Sequence, residues 1–437
     1  MLLEKKEGIT KRNSGKIVVG YDVSDDYAQI SYCTLDDREP ETLAQVTGSE
    51  QYNIPALLCK KHGVNQWFYG KEALKAAEAG EGIPVRNLLT LARKDETVDV
   101  GGESFDAVAL LTLFIRRSMS MLNIVVSPDY LEGVMFTVDD LDQRTVEIFL
   151  QVAANLYLKT DKIFFQSHAE SFYYYTLYQP RELWTHEVLL CDYDNRRMKI
   201  YALNSNRKTT PVVMYMDISE YPEMARADIE STADMDEDMK ARLDMLFLDI
   251  AKEQCREKVI SCIYLIGDGY REEWTLESLK YLCMGRRVFK GNNLYSKGAC
   301  YGIKEKLGIG SEGKEYVFLG SDKLKANVGM RVLRRGLDSY FAAMDAGVNW
   351  FEAKKEYDVI LEEGNEISIF LTPLNGKEAR EIHMELQGIE DRPRRTTRLR
   401  VTMGMTSESQ LSIHVKDMGF GELFPASGSE WTKTFDI

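Results

Sequence analysis

Apolar and polar positions alternate most clearly over residues 16–35. Ile17, Val19, Tyr21 and Val23 alternate with Val18, Gly20 and Asp22, and Ala28, Ile30 and Tyr32 resume the same period after a short acidic break. This pattern predicts a hairpin turning at Ser24, Asp25 and Asp26, because short polar side chains bond nearby backbone amides. A second stretch has the same form. Residues 188–191 are apolar, Asp194-Asn195 is a turn dipeptide, and residues 198–203 return. Asp192 stands there as Asp22 stands in the first hairpin, 170 residues further on. Two such hairpins, each leading one half of a long segment, predict a duplicated two-lobed α/β domain with a cleft between the lobes.

The elements between them follow from spacing. A helix is expected from about Lys71, and further helices over residues 86–94 and 105–122. A buried strand is expected over residues 134–138. An amphipathic helix should run from Gln143 to about Leu158, with Val146, Phe149, Leu150 and Ala153 on its apolar face. After the second hairpin, an acidic, Met-rich helical region should cover residues 224–258, with Leu243, Leu246, Phe247 and Ile250 on one face. A buried strand then ends in the turn Gly267-Asp268-Gly269 and opens a helix. Another helix carries Gly298, Ala299 and Gly302 on one side, which lets a neighbouring helix come close. Residues 308–314, GIGSEGK, have the spacing of a phosphate loop. They follow a helix instead of a strand, and Glu315 replaces the magnesium-binding hydroxyl, so they are read as an ordinary connector.

From about Tyr316 short alternating segments separated by Gly, Pro, Asn and Ser dominate. Leu399, Val401, Met403 and Met405 face one way and Leu411, Ile413 and Val415 answer them. This predicts an all-β sandwich, with the boundary between residues 309 and 324.

Composition narrows the classes. A chain of 437 residues holds two or three domains. No apolar run reaches the roughly 18 residues of a membrane span. The charged start lacks the apolar core of a signal peptide. Seven scattered cysteines, never spaced CxxC, suit a reducing cytoplasm better than a disulfide framework or zinc site. A net charge of −14 argues against non-specific nucleic-acid binding.

The order of these elements resembles the DnaK-type heat-shock chaperones, of the actin and sugar-kinase superfamily. VVGYDVSDDYAQ (18–29) is similar to that family's first phosphate loop and VLLCDYDNRRMKIY (188–201) to its second. IYLIGDGYR (263–271) is similar to the adenosine loop, and YSKGACYGI (295–303) to the helix after it. Residues 386–417 resemble the substrate-binding domain, which separates chaperones from actins and kinases. The family's C-terminal helical lid has no counterpart before Ile437. The resemblance implies an α/β two-lobed actin-like ATPase domain over residues 16–312, with lobes of about 16–185 and 186–312. It is preceded by an extension, 1–15, and followed by a β-sandwich resembling a chaperone substrate-binding domain, 313–437. It also implies ATP or ADP with Mg2+. Asp22 and Asp192 would act on the metal through water, Arg197 on phosphate, and Gly267, Gly269 and Arg271 on the adenosine.

Departures from the family pattern shift the expected function. Ser24, Asp25 and Asp26 replace the first loop's Gly-Thr-Thr, and Asp194, Asn195, Arg196 and Arg197 replace glycines and a threonine in the second. The family's leading glutamate falls on His168, with Glu170 beside it, and its catalytic lysine falls near Leu88, with Arg86 and Lys94 close by. Carboxylates near phosphate repel it. The expectation is therefore a cytoplasmic chaperone-type protein that binds a protein or peptide, with a weakened or lost ATP site, and neither nucleic acid nor membrane. Trp350, Phe351 and Phe370 are candidate peptide contacts whose commoner fate is the core. The alternatives are an active ATP-dependent chaperone or ATPase and an actin-like scaffold.

Overall fold

A computed structural model describes residues 15–37, 39–46, 49–194, 196–226, 235–310, 312–374 and 378–437. Asn195, most of the expected N-terminal extension and part of the expected 224–258 helix lie outside the described residues. The chain divides into two compact units. The first takes residues up to 205 and 216–314, and the second takes 206–215 and 315–437.

Two mixed sheets organise the first unit. In one, Ile17–Val23 pairs antiparallel with Tyr27–Thr34 and parallel with Leu131–Val138, which pairs parallel with Ile163–Ser167. In the other, Glu187–Tyr193 pairs antiparallel with Met198–Asn206 and parallel with Ile260–Ile266, which pairs parallel with Arg287–Lys290. Strand order and direction are thus repeated. In both, the hairpin's first strand lies centrally and is buried along almost its whole length, as a strand covered on both faces must be. Asp22 and Asp192 occupy equivalent positions near the ends of these strands.

Helices cover the sheets. Gln143–Leu156 is capped by Asp142, which accepts from the Thr145 amide. Its buried face is Val146, Ile148, Phe149 and Val152; Leu150, expected there, is exposed. The turn after Ile260–Ile266 is a single 3-10 turn, Asp268–Tyr270, and the next α-helix starts only at Glu277. The helix Leu294–Lys306, in sequence part of the second half, lies on the first sheet. A Cβ on Gly20 would lie 2.1 Å from the Ser296 carbonyl oxygen, and one on Gly298 would lie 2.0 Å from that of Ser171. Its small residues therefore face a strand on one side and the helix His168–Leu177 on another, not one partner as the stripe suggested.

The second unit is a sandwich. One sheet has the order Leu337–Met344, Ala326–Arg334, Glu366–Pro373, Arg380–Glu385. The other has Lys354–Leu361, Thr397–Ser407, Gln410–Asp417, Glu430–Asp436. Val401 pairs with Val415, Met403 with Ile413, and Met405 with Leu411; all but the partly buried Met405 are fully enclosed. Trp350 is buried in a short 3-10 turn, and Phe351 and Phe370 are half-buried.

Candidate functional site

The first hairpin's turn is closed by its own side chains. Ser24 Oγ accepts from the amides of Asp26 (3.3 Å) and Tyr27 (3.2 Å) and donates to the Tyr27 carbonyl (3.1 Å). Asp25 turns inward and caps a helix from a distance. Its Oδ1 accepts from the Leu89 and Thr90 amides (2.9 and 3.0 Å), at the start of Leu88–Arg93. The second turn repeats the device. Asp194 Oδ1 accepts from the amides of Arg196 (2.9 Å) and Arg197 (3.0 Å). Amides that resemblance assigned to phosphate thus point at the protein's own oxygens.

The charged side chains of the two turns are likewise matched. Arg196 makes a two-pronged pair with Asp26, at 2.9 and 2.6 Å, joining the turns directly. Arg197 donates to Asp139 (2.8 Å) and Glu220 (3.0 Å). Asp139 follows the strand Leu131–Val138 and also accepts from Lys199 Nζ (2.7 Å) and Tyr201 Oη (3.0 Å). Burial pushes the Asp139 carboxyl up, but His168, Lys199 and Arg197 outweigh it and hold the group far below the usual carboxylate range.

Asp22 and Asp192 are joined through two rings. Asp22 Oδ1 lies 2.7 Å from His168 Nε2. The imidazole stacks on Tyr295, with ring centres 3.8 Å apart and planes 8° from parallel. The Tyr295 hydroxyl donates to Asp192 Oδ2 at 2.8 Å. Burial lowers the His168 imidazole, yet Asp22 first, then Asp139 and Asp192, leave it above the ordinary histidine value. Burial drives the Asp192 carboxyl up to about 7, against the opposing pull of the Tyr295 hydroxyl and His168.

Between the turns is a cavity of about 280 Å³ whose wall includes Asp25, Asp26, Asp139, His168, Asp192 and Arg197. Arg93 lines it, whereas Arg86 and Lys94 do not, and Leu88 is core. A larger cavity of about 800 Å³ opens beside Gly267, Asp268, Tyr270 and Arg271. Gly267 has φ +104°, and a Cβ there would lie 2.3 Å from the Tyr193 carbonyl oxygen. A Cβ on Gly269 would strike the Tyr193 ring at 2.2 Å. Both glycines serve close packing onto the second hairpin. Arg271 is exposed and paired with Asp268 at 3.1 Å.

The predicted residues Asp22 and Asp192 therefore do converge, and Arg197 joins them, while Gly267, Gly269 and Arg271 flank the larger cavity. His168, Asp139, Lys199 and Tyr295 complete the cluster. Ser167-His168-Ala169-Glu170 is a capping-box sequence, and Ser167 Oγ does accept from the Glu170 amide. That signal fixes His168 at the first helical position. Asp139 follows a buried strand much as Asp22 and Asp192 end theirs.

The turn amides, both arginines and one oxygen of each hairpin aspartate already have protein partners. Among the described residues no group of three or more His, Cys, Asp or Glu is placed to hold a metal. Gly310 and Gly313 of GIGSEGK pack on the protein's own Glu305, which accepts from the Gly313 amide at 3.2 Å.

Fold and site together define a duplicated α/β unit whose inter-hairpin cleft is bridged by internal ion pairs, with a β-sandwich unit beside it in the chain. The chain belongs to the Family of unknown function (DUF5716) C-terminal, whose model matches residues 39–321. Residues 323–437 match a Domain of unknown function (DUF8552). No curated protein matches the chain.

Proposed function

We propose that this chain is a DnaK-like, chaperone-type binding protein. Its first unit is read as a divergent two-lobed actin-like domain with a lost ATP site, and its sandwich as a holder of extended peptide. The observation that carries the first part is the mutual pairing of Asp26 with Arg196 and of Asp139 with Lys199 and Arg197. Phosphate would have to displace these carboxylates. Isothermal titration with Mg-ATP tests it: no saturable heat is expected, and micromolar affinity would overturn the lost-site reading.

The second part is supported by a groove of about 860 Å³ in the sandwich. It opens between the turn after Ala326–Arg334 and the turn after Lys354–Leu361. Its floor is apolar, with Val332, Phe341, Tyr357, Val359 and Ile367. Such a groove beside free strand edges suits an extended chain that adds backbone hydrogen bonds and fills apolar pockets. Fluorescence polarisation of labelled extended peptides checks this, with Ile360→Asp as the control. Ile360 is half exposed in the groove wall, so the fold should survive and affinity should drop by about tenfold or more, one buried aliphatic side chain being worth about 1.5–3 kcal/mol.

A further inference from the structure

The helix Leu294–Lys306 lies along the strand Tyr27–Thr34 in matched steps. On the strand, Ser31 and Cys33 face the same way, two residues and about 6.8 Å apart. On the helix, Ser296, Cys300 and Lys304 recur every fourth residue along one side, about 6 Å per step. Bonds at both ends fix the register. Ser31 Oγ and Ser296 Oγ are 2.8 Å apart, and Lys304 Nζ donates to the carbonyl of Asp37, just past the strand, at 2.6 Å. The step between them sets Cys33 opposite Cys300, in one buried cluster with Val18, Met135, Ala299 and Ile303. The two thiols meet, and both are free. The Gly20 amide donates to Cys300 Sγ at 3.1 Å and holds that sulfur in place.

The pair is asymmetric. Cys300 is fully enclosed, and burial drives its thiol well up. Cys33 is next to last in its strand and lies nearer the surface: Thr34 and Leu35 are half-buried, and Asp36 and Asp37 are exposed. Cys33 itself is 2% exposed, so a small reagent reaches it when the strand end opens, as element ends do most readily. Its thiol stands below the ordinary cysteine value. Cys300 first, then the Lys304 ammonium, hold it there against burial and the Asp37 carboxylate. Burial raises the thiols of Cys59, Cys191, Cys255 and Cys262 instead. The thiolate is the reactive form of cysteine, which singles out Cys33 among these buried thiols.

We propose that Cys33 and Cys300 are a peroxide-sensing thiol pair that closes to a disulfide and reopens with a thiol reductant. Cys33, as thiolate, attacks one oxygen of a hydroperoxide. The S–O bond forms, the O–O bond breaks, and the departing oxygen takes up the proton that Cys33 released. The Cys300 sulfur then attacks the sulfur of the Cys33 sulfenic acid. The S–S bond forms, the S–O bond breaks, and hydroxide leaves with the Cys300 proton as water. The two thiols lose two electrons and the peroxide gains them. The bond clips to the first sheet the helix that carries Tyr295, the residue stacked on His168 and bonded to Asp192.

The test treats the full chain with hydrogen peroxide, alkylates the remaining thiols after unfolding and maps the peptides. A peptide joining Cys33 to Cys300, lighter by two hydrogens than its separate parts and lost on treatment with dithiothreitol, is expected. The oxidised chain should melt about 5 °C or more above the reduced one, because the bond closes a long loop in the unfolded chain. Cys300→Ser should stop at a sulfenic acid on Cys33, trapped by dimedone, while Cys33→Ser should leave Cys300 reduced. Lys304→Met should slow disulfide formation about tenfold at pH 7 as the thiolate fraction falls. Cys33 and Cys300 both alkylated after peroxide has oxidised the exposed Cys283 overturn the pair, as does a map joining either to another cysteine. Dimedone on Cys300 in Cys33→Ser overturns the order of attack, and an unchanged rate in Lys304→Met overturns the part given to the ammonium. Should a variant fail to fold, the wild-type peptide map decides alone.

Discussion

Replacing Asp139 tests whether the cleft is held by internal ion pairs. The carboxylate accepts from Lys199, Tyr201 and Arg197, and the Lys199 side chain is only 8% exposed. Asp139→Asn keeps the shape and removes the charge, leaving a buried ammonium facing an amide. Breaking a buried pair by removing one partner costs about 3–5 kcal/mol. About a quarter of the Asp139 side chain meets solvent, and Glu220 lies 3.5 Å from Lys199 as a second partner. Screening and this reserve bring the expected loss to about 2–3 kcal/mol. The acid limb should change as well. A carboxyl held below its ordinary value stabilises the fold above about pH 4, a contribution lost as pH falls further. The variant should lose that dependence. Urea unfolding followed by circular dichroism between pH 3 and 7 measures both effects. Adding Lys199→Met should recover stability relative to Asp139→Asn alone, since the stranded cation goes with it. An Asp139→Asn midpoint equal to wild type at pH 7 refutes the reasoning, because the cluster would then carry no stabilising role.

Three further outcomes are expected. Asp192 binds its proton more tightly folded than unfolded, its carboxyl standing at about 7, so its contribution to stability should fall as pH rises from about 4 to 7 and then level off; Asp192→Asn should flatten that slope in thermal melts. Gly298→Ala places a methyl 2.0 Å from the Ser171 carbonyl oxygen; despite alanine's helix preference it should destabilise by about 1–3 kcal/mol, and a raised melting temperature would contradict the close crossing. Arg392→Ala strands Asp417, fully enclosed in the sandwich; a loss of about 3–5 kcal/mol is expected, with faster hydrogen exchange at the Gly419 and Ser427 amides that Asp417 binds.

The sequence was most legible where one period rules a segment. Both hairpins and the pairing of Val401 with Val415 follow from alternation alone. The two sheets repeat one strand order, which two hairpins of the same form suggested. Legibility failed where a residue's role depends on distant partners. Asp25 reads as a turn residue, but its carboxylate caps a helix more than 60 residues away. Gly267 and Gly269 read as room for a ligand, yet the room is taken by Tyr193. Leu150 sits one step off the buried face because the helix faces the sheet through Ile148 and Val152. Asp139 carries no local pattern beyond the end of a buried strand; its importance arises only when Lys199 and Arg197 arrive from the other hairpin.

That last arrangement leaves the cleft lined by charges of both signs. Asp25, Asp26, Asp139, Asp192 and Asp194 line the small cavity against Arg93, Arg196, Arg197 and Lys199, with His168 as a further proton holder. The two signs nearly balance, so the cavity offers an anion little net attraction. A phosphate taking Arg197 would set its charge against Asp139, and one taking Arg196 would meet Asp26. Each like-charge contact near 4 Å costs about 4 kcal/mol at an effective dielectric of 20. Glycine turns would leave amides and space for such a ligand, whereas these turns spend both on themselves through Ser24 and Asp194. Asp26 and Arg196 are thus mutually dependent. Asp26 without Arg196 would leave a repelling carboxylate at the mouth, and Arg196 without Asp26 would offer an anion an unpaired guanidinium. Asp26→Ala should accordingly free Arg196 for inorganic phosphate, and weak phosphate binding that appears in the variant but not in wild type, measured by titration, would show that the pairing closes the site. Wild-type behaviour in the variant would place the obstruction in the backbone of the turns instead.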